Sequence, residues 1–121
     1  MQRKTFYLSW LLMVTLFGCE HLDIKASEAA QHTGKYASVT GKVASVKTIN
    51  FGKPNELNFL NLGRAHPQQD FTIVIKGRYK NRFRPLRDYK GKKVKVTGRI
   101  GMHKGKPQIR LKAANKLKIL E

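Results

Sequence analysis

Lysine and arginine carry most of the chemistry this chain has to offer. The sequence holds 25 Lys and Arg against 7 Asp and Glu, a formal net charge of +18. From Lys76 to Lys118 there are 17 basic residues and one acidic residue, Asp88. A field of one sign concentrates anions at a surface, and solubility alone needs far less charge. The other reactive side chains do not assemble into a catalytic set. The acidic residues are scattered, and no histidine stands near both a nucleophile and an orienting carboxylate. Cys19 is the single cysteine, which excludes an internal disulfide and a cysteine-based zinc cluster. His66 and His103 have no carboxylate or cysteine at ligand spacing and read as polar loop residues or phosphate contacts. No phosphate-cradling glycine loop occurs. The expectation is a binding protein with no enzymatic activity, metal or cofactor.

A groove for a single-stranded polyanion needs cations along its length and aromatic faces for stacking. The cationic candidates are Lys47 and Lys53 around the first loop, Arg64, Lys76 and Arg78 in the middle, and Lys104 and Lys106 in the last loop. Phe51 is the stacking candidate. Phe71, Phe83 and Tyr89 are assigned to the core; Phe59 could face outward to a base or inward, with the core favoured because strand aromatics in a small domain are needed for packing. Lys93, Lys95 and Arg99 form a second basic face.

Period-2 alternation supplies the elements that must position these residues. In the stretch 89–105, Val94, Val96 and Ile100 alternate with Lys93, Lys95, Thr97 and Arg99, and Ile109 and Leu111 continue the pattern beyond a glycine-rich loop. Strands are expected at 36–49, 57–62, 70–76, 92–101 and 107–112, followed by a last short apolar alternation at 117–120. Gly41, inside the first strand, permits a bulge or sharp coiling. Between the third and fourth strands, Tyr79, Phe83, Leu86 and Tyr89 recur at spacings of four and three, which predicts a short helix ended or kinked by Pro85.

The N-terminal part is organised differently. Arg3 and Lys4 precede a mostly apolar run at 6–17, the pattern of a signal peptide. Residues 1–18 are read as that signal, 19–33 as a lipidated cysteine and flexible tether, and 34–121 as the folded domain. Leu16, Gly18 and Cys19 resemble the lipobox of bacterial lipoproteins, which implies lipidation of Cys19, export to the cell envelope and a membrane anchor.

The order of three strands, helix and two strands resembles the OB-fold, an all-β, five-stranded Greek-key barrel with one short helix between strands three and four. Thr40-Gly41-Lys42-Val43, Phe59-Leu60-Asn61-Leu62-Gly63, Phe71-Thr72-Ile73-Val74-Ile75, Val96-Thr97-Gly98-Arg99-Ile100 and Gly105-Lys106-Pro107 resemble the small bacterial OB-fold nucleic-acid-binding domains found in exported and thermonuclease-associated proteins. The resemblance implies binding of single-stranded nucleic acid with low sequence specificity. Charge and location leave two competitors: a binder of envelope polyanions or anionic lipid, and a lipoprotein that holds an acidic protein partner.

Overall fold

One strand holds this fold together, β2 (Tyr36–Ile49), because it is long enough to serve two ladders. Its first half pairs antiparallel with β5 (Lys93–Arg99), from Tyr36 opposite Arg99 to Lys42 opposite Lys93. Its second half pairs antiparallel with β3 (Leu57–Leu62), and the register shifts between Val43 and Ser45. The chain changes partners at that bulge. Two residues earlier, Gly41 leaves space that a side chain would take: a Cβ there would stand 2.9 Å from Leu62 Cδ2 and 3.0 Å from Ala26 Cβ. The glycine is thus a packing requirement.

The computed structural model describes residues 21–120. The remaining elements are β1 (Asp23–Lys25), β4 (Phe71–Lys76), β6 (Gly101–His103), β7 (Lys106–Leu111) and β8 (Leu117–Ile119), with four 3-10 helices, η1 (Ala26–His32), η2 (Gly77–Arg82), η3 (Leu86–Tyr89) and η4 (Ala114–Lys116). The eight strands form one mixed sheet in the order β6-β7-β4-β3-β2-β5-β8, with β1 parallel to β2 off that path. The β4–β7 pair is also parallel, and sets Thr72 beside Gln108 and Val74 beside Arg110.

The core follows the alternation of the sequence. Leu60, Leu62, Phe71, Ile73, Ile75, Val94, Val96 and Ile109 are buried together, with Phe83 and Tyr89 packed against them. Each fully buried aliphatic side chain of this kind contributes about 1.5–3 kcal/mol. The expected strands 36–49 and 57–62 coincide with β2 and β3.

The fold class expected from the resemblance is corrected. The molecule is an eight-stranded, mixed, open sheet and not a closed five-stranded OB-fold barrel. Its sheet ends at β6 on one side and β8 on the other, and no ladder joins β5 to β7. Those two strands meet where the Ile109 side chain packs against the Gly98 backbone: a Cβ on Gly98 would lie 2.7 Å from Ile109 Cγ2. The resemblance to OB-fold nucleic-acid-binding domains loses its structural basis with the barrel.

Two local expectations also change. In the segment read as a tether, β1 and η1 pack onto the domain, with Ala26 and Ala29 buried in its core. The single short helix becomes the two 3-10 helices η2 and η3, separated by Phe83, which is extended, Arg84 and Pro85. The signal peptide and the lipidated Cys19 lie outside the described residues. Among the described residues, no helix is long and apolar enough to cross a membrane.

Candidate functional site: a cationic cleft on the outer sheet face

The alternation that sends half of each strand into the core sends the other half to a second face. On β2, β3, β4 and β7 those outer residues align across the sheet in rows. One row is Ser45, Asn61, Thr72 and Gln108, all polar. The next is Lys47, Phe59, Val74 and Arg110, an apolar centre between two cations. A third is Ile49, Leu57 and Lys76. Cross-strand neighbours lie close enough to act as one surface.

Three segments rise around this floor and make it a cleft of about 790 Å³. Tyr79 comes from η2, His66 and Gln69 from the β3–β4 loop, and His103, Lys104 and Lys106 from the β6–β7 hairpin. That hairpin turns on Lys104 and Gly105, both at positive φ (50° and 77°), while His103 pairs with Lys106. Two central residues of positive φ match the twist of a tight antiparallel hairpin, and Lys104 stands at its tip.

Charge in the cleft has one sign. Lys47, Lys76, Lys104, Lys106, Arg110 and Lys112 line it, and no Asp or Glu does so among the described residues. The nearby carboxylates are engaged elsewhere. Asp70 pairs with Arg64 at 3.6 Å. Glu56 is buried, accepts from the Gly52 backbone N–H at 2.9 Å and Asn58 Nδ2 at 2.8 Å, and pairs with Lys80 Nζ at 3.0 Å. Those bonds, the Gly52 N–H foremost, lower its pKa to about 2. Asn58 in turn accepts from Thr48 Oγ1 at 2.6 Å and donates to the Ile75 carbonyl at 3.3 Å. This network ties the β2–β3 loop to η2, and so fixes the helix that carries Tyr79. Over the Tyr79 ring lie the Arg82 and Arg78 guanidinium groups, 4.7 and 5.5 Å from its centroid, contacts that hold the ring and the cations together.

The structure divides the residues named from the sequence. Lys47, Lys76, Lys104 and Lys106 come together in the cleft. Phe51, Lys53, Arg64 and Arg78 are outside its lining. Phe51 is 77% exposed, with Lys80 Nζ 4.7 Å from its centroid. Arg64 is occupied by Asp70, and Lys53 stands in the exposed β2–β3 loop. The proposed single-strand groove therefore fails as a unit, and the reading as an OB-fold single-stranded DNA binder is corrected along with its barrel.

Of the two positions left open for Phe59 the structure takes the outer one, in the cleft and not the favoured core, and sequence reasoning missed Tyr79, Arg110 and Lys112. Alternation within β3 could not decide Phe59, since Leu57, Phe59 and Asn61 share one parity and Asn58, Leu60 and Leu62 the other, two apolar residues and one asparagine on each. His66 and His103 both line the cleft. Among the described residues no group of three or more His, Cys, Asp or Glu is arranged to hold a metal ion.

No family model matches the chain, and no curated protein matches it. Among solved structures it is similar to a chain provisionally assigned as an aspartyl-tRNA synthetase from Leishmania major Friedlin, at 13% identity and a TM-score of 0.52. The likeness covers 84% of this chain but only 21% of that one. At that identity the similarity is one of fold alone.

Proposed function

We propose that this chain is a non-catalytic binding module that takes an extended polyanion in the cleft on the outer face of β2, β3, β4 and β7. The observation that carries the reading is the cleft's composition: six cations surround a floor of Phe59, Val74 and Leu57, with no carboxylate in the lining. Cations at the rim neutralise repeated anionic groups, while the aromatic and aliphatic floor takes the flat or apolar parts between them. His66 and His103 line the cleft with no carboxylate in the lining to orient either of them as a base, which supports binding over catalysis. The apolar run ahead of Cys19 supports placement in the cell envelope on a lipid anchor.

The test compares two charge reversals of equal size. Lys104→Glu/Lys106→Glu changes the cleft rim; Lys92→Glu/Lys93→Glu changes exposed lysines at the start of β5, outside the lining. Titrated with inorganic polyphosphate at low salt, the rim variant is expected to bind on the order of tenfold more weakly than the β5 variant. Equal losses from both would mean that the whole cationic surface attracts the polymer, and the cleft would lose its role.

A further inference from the structure

A second, smaller pocket of about 260 Å³ lies over the half of β2 that pairs with β5. It shares no residue with the cleft. Two hydroxyls face each other in its lining, Ser38 on β2 opposite Thr97 on β5. Ser38 is buried, and its Oγ hydrogen-bonds with Thr97 Oγ1 at 2.7 Å and with His21 Nε2 at 2.8 Å. The second bond holds the His21 ring in the pocket wall, ahead of β1.

Three lysines line the same pocket. Lys95 of β5 stands directly opposite Lys118 of β8, and Lys116 enters from the end of η4. The parity that buries Val94, Val96 and Leu117 turns Lys95 and Lys118 together to the outer face. Like charges directly opposite on antiparallel strands destabilise the pair, so this placement costs stability until something negative lies between them. The protein itself supplies little. Asp23 Oδ1 is 3.7 Å from Lys95 Nζ in a pair open to solvent, where an ion pair is worth little. Lys116 and Lys118 take part in no ion pair among the described residues.

Three ammonium groups against a single carboxylate leave an excess that a dianion matches. A pocket of about a third of the cleft's volume suits one compact group and not a chain. We propose that this pocket is a separate binding site for one phosphate-type oxyanion, whose oxygens bridge Lys95 and Lys118 while Lys116 adds a third charge-assisted contact. The phosphate is either a free one or that of a lipid headgroup. His21 is two residues from Cys19, a span of roughly 7 Å at most, so acyl chains on that cysteine would keep headgroups within reach. The site does not depend on the polyanion reading of the cleft.

The histidines locate the ligand in the experiment. His21 lines this pocket, His66 and His103 line the cleft, and His32 lines neither. The full chain in neutral detergent is titrated with inorganic phosphate at about pH 8, where a phosphate carries close to two charges, at constant ionic strength. Imidazole C–H signals are followed by NMR. The expected result is a saturable shift of the His21 signals that Lys118→Gln weakens by about tenfold and Lys104→Glu/Lys106→Glu leaves unchanged. A second titration adds phosphatidylglycerol to the micelles in place of phosphate. Saturation by phosphate supports a free ligand, and saturation by the lipid alone a headgroup. Four histidines moving in step, a His21 signal unmoved in both titrations, or a shift that Lys118→Gln does not weaken would overturn the proposal. Melting gives an independent readout. Without phosphate Lys118→Gln is expected to melt no lower than the unaltered chain, because a repulsion is gone; with phosphate the order reverses, because the unaltered chain gains more from the ligand. A variant that melts lower in both conditions would make Lys118 a structural residue and overturn the site.

Discussion

Phe59 and Phe51 show how little the type of a residue says about its use. Both are phenylalanines near the same end of β2 and β3, yet Phe59 sits in the cleft floor opposite Lys47 and Val74, while Phe51 is out in the loop under Lys80. Replacing Phe59 by Ala removes apolar contact from the floor at a position only partly buried. It is expected to weaken polyanion binding several-fold and to shift the melting temperature by only a few degrees. Phe51→Ala is expected to leave that affinity within about twofold, because its ring meets a lysine already held by Glu56. Titration of both variants with polyphosphate checks the pair, and a larger loss from Phe51→Ala would return the site to the loop. Parity left Phe59 undecided, with two apolar residues and one asparagine on each side of β3, and the preference for the core came from the weight given to aromatics as core formers.

At the level of elements, the β2–β3 loop and η2 are joined by a carboxylate. Glu56 has its pKa lowered from 4.5 to about 2 in the folded chain, by the Gly52 N–H first and then by Asn58 and Lys80. Above about pH 4.5 folded and unfolded chains both carry the charge, and the stabilisation is complete. As the pH falls from there toward about 2, the unfolded chain takes up a proton that the folded chain refuses, and the stabilisation is lost. The urea midpoint of the unaltered chain is therefore expected to fall over this window more steeply than that of Glu56→Gln. Parallel curves for the two would remove Glu56 as the source. Elements themselves were legible where apolar residues alternate over a long span, as in β2 and β3. They were not legible at β1 and η1, where Ile24, Ala26 and Ala29 are too few and too small to mark a buried face. The short strand β6 (Gly101–His103) owes its conformation to its neighbour β7, so local pattern read it as loop, whereas β8 (Leu117–Ile119) falls on the short apolar alternation at 117–120.

Taken whole, the molecule carries more positive charge than its cleft uses. Lys93 and Arg99, on β5, are exposed away from the lining, so any polyanion meets two cationic regions. Salt should separate them. Binding that engages the six cleft cations is expected to fall by roughly a thousandfold between about 50 and 200 mM salt. The apolar floor should leave a residual affinity that Phe59→Ala lowers several-fold, which a salt titration of both proteins would detect. A single steep line reaching zero for each would indicate attraction by the overall field. The pairing of β4 with β7 adds a constraint in time. Residues of β7 meet partners some three dozen positions earlier, Gln108 against Thr72 and Arg110 against Val74, and contacts so distant in sequence are slow to form. Arg110, Lys106 and Lys104 reach the cleft only through that pairing. A chain still folding thus has a floor of β2, β3 and β4 but lacks its last wall, and the arrival of anion affinity would serve as a clock for the completion of the fold.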